Sequence, residues 1–518
     1  MSAFPFLTFL ILLPLVGGLN VIVLGAEQKK FARGLALGFS LAALATTLLI
    51  WAKFDPSLGK LQFEEQHDWI TQLGVQYHLG IDGLGLVMVL LTGVVVPMAL
   101  LASWNIEERA PIYFALVLFL QAGLFGTFTA LNFFHWFIFW ELSLVPAFFL
   151  IKLWGGPMRT PAATQFFIYT MVGSITMLLG FLAIFLSTHK FDFIQLASMG
   201  HDGSLITALS ETLGWRDLTT RRLALVIFAG IFLGFAVKVP LVPFHTWLPS
   251  AYAEAPTGTT MLLTGLMSKM GLYGFLRVLV PLFPQEVRWA STGLLWLAVI
   301  TIIFSAGAAF AQRDLKRMLA YSSINHLGYC LLGIFAVMGS SRLAGAPEIE
   351  RAATLNGVIL QMFNHGLTAA TLFWFVGFLE QRGRGLRGLY DYGGLRQIAP
   401  VYAGLMGIAI FSSLGLPGLN GFIGEFLIFK GVFPLATWAA ALSVLGLLVT
   451  AIFLLTLVQR VFNGPLNEKW SKLPDLTLME RAMVVPAIGL MFLLGLWPQI
   501  LLGSINATVV QMAQSFAF

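Results

Sequence analysis

The sequence predicts an all-α polytopic membrane protein with about fourteen transmembrane helices. Three observations lead there. Hydrophobic residues make up 58% of the 518 residues and charged residues only 10%, against roughly 25% charged in a soluble domain. Apolar runs of about 20 residues, enough to cross a bilayer, recur along the whole chain. The basic residues fall mostly in the short connections between those runs, as membrane topology requires. Glycine (52) and phenylalanine (46) are abundant, as in helices that approach closely in lipid.

In order, the expected spans are 3–25, 31–52, 82–104, 111–129, 131–153, 161–187, 222–247, 256–280, 289–311, 315–338, 352–380, 400–430, 436–462 and 479–502. The run 4–24 lacks the basic start of a cleaved signal and reads as the first span. The connection 53–81 carries Glu64, Glu65, His67 and Asp68 and is expected to form a short hairpin, and the connection 188–222 to hold a small helix. The tail 505–518 reads as a short interfacial helix.

Two spans should break. Pro240 and Pro243 interrupt the seventh beside Lys238, because proline removes a backbone donor. Leu416-Pro417-Gly418-Leu419-Asn420-Gly421 interrupts the twelfth, shortly before Glu425. Interruptions at matching positions point to two inverted five-helix repeats, although a direct repeat also fits. The implied domains are an N-terminal three-helix region (1–110), a first repeat (111–280), a second repeat (281–462), and a C-terminal helix and tail (463–518). With both termini outside, seventeen Lys and Arg fall on the inner side and eleven on the outer. Four of the outer ones, Lys190, Arg216, Arg221 and Arg222, lie in 188–222. That bias favours both termini on the outer side.

Composition also excludes. One cysteine, Cys330, cannot hold an iron–sulfur cluster, a structural zinc or an internal disulfide. No Walker pattern occurs. No redox cofactor or nucleotide is expected in this chain, so its energy must come from an ion gradient or a partner. The net charge of +6 lies in loops and does not suggest nucleic acid.

The informative residues are the ionisable ones inside apolar spans, which are expensive in hydrocarbon and mark ion pathways. Glu141 lies in Trp140-Glu141-Leu142 and Lys238 is its natural partner; a static ion pair between helices is the plainer alternative. Lys269, between Gly265 and Gly271, suits a proton carrier because a buried lysine loses its proton readily, against simple snorkelling to an interface. His326 and His365 can relay a proton through either ring nitrogen, or merely pack. Glu425 is read as an exit acid or as a cap on the broken half-helix. His245 and Glu254 suggest an inner uptake route, or line a groove for a neighbouring subunit. No carboxylate or thiolate stands at ligand spacing from the histidines, so no metal is expected. The row Glu141, Lys238, Lys269, His326, His365, Glu425 suits passing protons along water wires and is poorly suited to a bulky substrate.

At these residues the chain resembles the antiporter-like subunits of respiratory complex I, specifically the subunit M branch. The match covers most of the chain, and its specific parts are Trp140-Glu141-Leu142, Lys238-Val239-Pro240, Phe244-His245-Thr246-Trp247-Leu248-Pro249, Glu254-Ala255-Pro256-Thr257, Ser268-Lys269-Met270-Gly271, Asp314-Leu315-Lys316-Arg317, Ala320-Tyr321-Ser322-Ser323 with His326, Asn364-His365-Gly366, and Leu416-Pro417-Gly418 with Gly424-Glu425-Phe426. The resemblance implies fourteen helices in two inverted repeats. It also implies a glutamate–lysine pair at Glu141 and Lys238, a central lysine at Lys269, histidines at His326 and His365, and an exit glutamate at Glu425. Glutamate at the exit is similar to subunit M rather than L or N. The chain departs from the family at Ser250-Ala251-Tyr252, where Asp-Ala-His is usual, and at Asn325, where serine is common.

The implied function is a proton-translocating subunit of an NADH- or ferredoxin:quinone oxidoreductase in an energy-transducing membrane, bacterial or thylakoid. Iron–sulfur clusters, flavin and quinone would belong to partner subunits, and other antiporter-like subunits would flank it. Mrp-type sodium/proton antiporters and membrane-bound hydrogenases share nearly all these motifs and supply the alternative.

Overall fold

A computed structural model describes residues 4–214, 219–340 and 348–516. Arg216, counted above among the outer cations, lies outside them. Among the described residues, twelve helices are long and apolar enough to cross a membrane, from Lys29–Lys53 to Leu478–Leu496, and Phe6–Ile22 and Pro400–Ser413 are shorter apolar helices. Every expected span overlaps a helix. The difference from fourteen arises because Phe6–Ile22 has only 17 residues and the twelfth span is two half-helices, Pro400–Ser413 and Asn420–Leu435.

The bundle is sorted by burial. Gly83–Ala102, Thr257–Leu282, Leu315–Gly339 and Glu348–Arg382 are almost wholly enclosed by other helices. Lys29–Lys53, Thr437–Phe462 and Leu478–Leu496 form a rim that turns side chains such as Leu49, Leu448 and Leu493 outward. The buried polar residues Lys269, His326, Asn364 and His365 sit on the enclosed helices, where a partner can satisfy them without lipid contact. Small residues let these helices touch: a Cβ on Gly366 would lie 2.8 Å from the Gly265 carbonyl oxygen, so Thr257–Leu282 crosses Glu348–Arg382 at backbone distance.

Both expected breaks are present. Thr220–Lys238 stops at Lys238 and helix resumes at Trp247–Glu254, with Pro240 and Pro243 between. Pro400–Ser413 stops before Gly415 and Gly418, which take φ of +76° and +94°, and helix resumes at Asn420. Left-handed backbone of that kind favours glycine. The sequence pattern does not announce two π-helical turns inside Thr257–Leu282, at Leu263–Met267 and Phe275–Leu279.

The connection 53–81 forms the expected antiparallel hairpin, Gln62–Ile70 with Val75–Ile81. The connection 188–222 holds two short helices rather than one, Phe193–Asp202 and Ser204–Leu213, divided by Gly203 at φ +80°. The last span ends at Leu496 rather than 502, because Trp497-Pro498 interrupts it and Pro498 has no donor to continue. The following helix, Gln499–Ser515, starts earlier than expected and is no loose interfacial element. Thr508 Oγ1 accepts from the Gly83 amide at 2.9 Å, and Asn356 donates to Asn506 at 2.9 Å, binding it to two central helices.

Candidate functional site

Lys269 is fully buried. Its Nζ lies 2.5 Å from the Thr264 carbonyl oxygen and 2.7 Å from His365 Nδ1. The π-helical turn at Leu263–Met267 displaces the ordinary bonding register, and Thr264, inside that turn, presents its carbonyl to the ammonium five residues on. As an ammonium, Lys269 can only donate, which makes His365 Nδ1 the acceptor and places the ring proton on Nε2.

His365 and His326 face each other with ring centroids 5.4 Å apart. A void of about 10 Å³ lies among His326, His365, Thr368, Ser412, Ser413 and Glu425, at the lower edge of what one water needs. His326 then joins Glu425, with Nδ1 2.8 Å from Oε1, while its Nε2 meets the Ser413 hydroxyl at 3.1 Å. Gln361 Nε2 also donates to Glu425 Oε1, at 3.2 Å. The two histidines of the expected row thus stand in series. Glu425 does not cap the half-helix Asn420–Leu435, since no side chain caps that end. Asn420 holds the break against Glu348–Arg382 instead. Asn364 Nδ2 donates to the Asn420 carbonyl at 2.6 Å, and Asn420 Oδ1 accepts from Ser412 at 2.5 Å.

The first pair lies within electrostatic reach but is not a direct salt bridge. Lys238 Nζ is buried, stands 4.8 Å from the Trp140 ring centroid and has no hydrogen-bond partner among the described residues. No Glu141–Lys238 ion pair forms among them. Glu141 is half-buried rather than enclosed, on the same stripe of Phe133–Trp154 as the exposed Ile138 and Val145, although its Oε1 is covered and unpaired. A cation–π contact to Trp140 seats Lys238, and the Glu141 charge acts on it from beyond salt-bridge distance.

The two expected uptake residues are not brought together. His245 is buried with its ring edge-on to Phe304 at 5.2 Å. Glu254 belongs to a charged hub on a cavity of about 940 Å³. Arg387 reaches Glu254 at 3.0 Å, Asp314 at 2.6 Å and Glu380 at 3.2 Å, and Lys316 meets Glu380 at 2.6 Å. Burial alone would lower the Arg387 pKa, but these carboxylates raise it, so Arg387 stays charged.

Sequence reasoning passed over Gln361, Ser413, Asn420 and Arg387. Gln361 had a usable signal, lying one helical turn before His365 on the same face. Arg387 had none, because its partners come from three separate segments.

The enclosed row of lysine, histidines and glutamate beside broken helices defines a class: a polytopic membrane subunit of the antiporter-like type. The family described as NADH:quinone oxidoreductase/Mrp antiporter, transmembrane, matches residues 130–452. Similar proteins include the NADH-quinone oxidoreductase subunits M of Rhodobacter capsulatus, 34% identical over 95% of this chain and 92% of the relative, and of Rickettsia bellii, 33% identical over the full length of both. Among solved structures, a chain of respiratory complex I from Thermus thermophilus with bound NADH superposes with a TM-score of 0.83 at 28% identity, covering 98% of this chain and 99% of that one. A chain of the Mrp complex from a Dietzia species reaches 0.82 at 20% identity over the full length of both, which shows the fold alone. The chain belongs to the NADH:quinone oxidoreductase/Mrp antiporter family of membrane subunits, and it is an integral, multi-pass membrane protein.

Proposed function

We propose that the chain is the proton-translocating membrane subunit of an NADH- or ferredoxin:quinone oxidoreductase, and that it performs no redox chemistry itself. The observation that carries this reading is the contact series from Lys269 through His365 and His326 to Glu425. Each member can hold and release a proton, and no gap in the series exceeds about one water. The full-length similarity to proteins named subunit M supports it further.

The residues have distinct roles in this reading. Lys269 donates from Nζ to His365 Nδ1, and His365 releases from Nε2. His326 receives through the Ser413 side and passes the proton from Nδ1 to Glu425 Oε1. The Thr264 carbonyl restores the ammonium position of Lys269 after reprotonation. Glu141, on an outward stripe, is where a neighbouring subunit can act. A change of charge there alters the field at Lys238 and, through it, the proton affinity of Lys269. Iron–sulfur clusters, flavin and quinone belong to partner subunits in this reading, and both termini lie on the outer side of an energy-transducing membrane.

The test is proton movement by the purified complex in sealed vesicles. Lys269→Ala is expected to lower protons moved per electron while quinone reduction continues; an unchanged ratio would overturn the relay. The second reading is a subunit of an Mrp-type sodium/proton antiporter or a membrane-bound hydrogenase. It draws on the fold likeness to the Mrp complex and to a membrane-bound sulfane sulfur reductase. Iron analysis of the purified complex separates the antiporter from the redox-driven complexes: absence of iron favours the antiporter.

A further inference from the structure

Glu348–Arg382 ends and Leu478–Leu496 begins at the same end of the bundle, where Arg382 Nη2 meets Glu480 Oε2 at 2.6 Å. Beside that joint a cavity of about 730 Å³ opens among Arg382, Arg384, Lys469, Trp470, Lys472 and Leu473. Among the described residues no acidic side chain lines it. Glu480 is committed to Arg382, and Asp475, nearby in sequence, accepts from the backbone amides of Val401 and Tyr402 at 3.0 and 2.9 Å. Arg384, Lys469 and Lys472 are therefore exposed cations on a shared concavity.

The walls are ordered by local structure. The helix end is closed by amides of Gly383 and Gly385 donating to Leu379 and Glu380 at 2.6 and 2.7 Å, and Arg384 sits between them at φ +53° on the rim. Trp470 is buried, stacks on Tyr392 at 5.2 Å and donates its Nε1 to the Asp391 carbonyl at 2.7 Å. Lys469 Nζ lies 4.9 Å over the Trp470 ring centroid. Immediately beyond, in the first turn of the next span, Leu478 is 82% exposed and Met479 67%. Cations, a tryptophan wall and exposed apolar side chains thus follow one another where a helix enters the bilayer.

We propose that this cavity seats the phosphodiester headgroup of an anionic phospholipid whose acyl chains run down past Leu478 and Met479. Basic pockets at helix ends gain from the negative surface of an anionic leaflet, and tryptophan belongs at the headgroup level. A free phosphate ion shares the headgroup's chemistry but has no use for the apolar step below the cations.

The test uses the intact complex in phosphatidylcholine nanodiscs with and without phosphatidylglycerol, reading bound lipid by native mass spectrometry. Two triple variants are compared: Arg384→Gln with Lys469→Gln and Lys472→Gln, and Arg384→Lys with Lys469→Arg and Lys472→Arg. All six changes fall on exposed side chains, so both complexes should assemble. At roughly a factor of five per basic group, the neutral triple is expected to bind phosphatidylglycerol about 100-fold more weakly. The charge-keeping triple should retain binding, and inorganic phosphate should not compete. Equal phosphatidylglycerol retention by the neutral triple would overturn the proposal. So would displacement by inorganic phosphate, which would mark an ion site. Crosslinking of Lys472 to an acidic segment of another subunit, with no lipid retained, would overturn it in favour of a protein contact.

Discussion

Lys269 keeps its ammonium inside the bundle because two acceptors, the Thr264 carbonyl and His365 Nδ1, stand within 2.7 Å of it. The histidine is a titratable acceptor, and that separates a relay from a static satisfaction of charge. The same holds at the far end of the row, where Glu425 accepts from His326. Glu425→Gln preserves volume and a hydrogen bond to the ring but removes the proton acceptor. It is expected to leave assembly intact and to slow vectorial proton release by at least about tenfold, measured by pH-sensitive dye in sealed vesicles. Normal release would place the proton's path elsewhere. The identities of Lys269, His326, His365 and Glu425 were legible in the sequence because charge inside an apolar run stands out. Their order was not. Which histidine meets the lysine depends on how helices rotate about their axes, and sequence spacing does not state that. The closeness of Glu141 and Lys238 was not legible for the same reason, since the stripe shared with Ile138 and Val145 leaves Glu141 half-buried and within electrostatic reach of Lys238 but short of a salt bridge.

At the scale of single elements, the two breaks are chemistry-bearing and the hairpin is a fastening. A Cβ on Gly421 would lie 1.9 Å from the Ser412 carbonyl oxygen, so the half-helix Asn420–Leu435 can begin there only with glycine. Gly421→Val is expected to cost about 1–3 kcal/mol through overpacking, visible as a lower thermal midpoint of the assembled complex, and to displace Glu425 from His326. An unchanged midpoint would show that the break relaxes freely. The hairpin is tied by His78, whose Nδ1 meets Asp192 at 2.6 Å and Nε2 meets Glu64 at 3.0 Å. Burial alone would lower the His78 pKa, but hydrogen bonds to the two carboxylates outweigh it and raise it above its ordinary value near 6.5. Its contribution is therefore complete below about pH 6.5 and is lost as pH rises through the raised value. Amide exchange in Gln62–Ile81 should accelerate on alkalinisation in the wild type, and His78→Gln should flatten that dependence; an identical profile in both would contradict the fastening. The breaks were readable from proline and glycine. The two π-helical turns were not, because no residue type demands them.

Across the whole molecule, two of the clusters of ionisable groups bear on the proposed function and its scaffold: an enclosed row at the centre and a charged hub at one end. The hub draws on residues far apart in sequence, with Glu254, Asp314 and Glu380 all meeting Arg387. The Arg387–Glu254 bridge joins the two proposed repeats by charge. Removing one partner of a buried pair typically costs about 3–5 kcal/mol. Arg387→Ala is accordingly expected to reduce the amount of assembled complex in membranes, whereas Arg387→Lys should recover part of it. Full assembly of the alanine variant would show that the hub carries no structural weight. The membrane class and nearly every span could be read from hydropathy, because lipid imposes that pattern locally. The hub, the docking of Gln499–Ser515 and the two helices in 188–222 could not, because each depends on long-range partners.

The most direct measurement is the ratio of protons moved to electrons transferred by the complex carrying Lys269→Arg in sealed vesicles. Arginine keeps the positive charge and can hold the Thr264 carbonyl, but it does not give up its proton in a protein. Near-normal assembly with a lowered ratio is expected if Lys269 donates to His365. A ratio equal to that of the wild type would mean that only charge is needed at this position and that the row does not carry the proton.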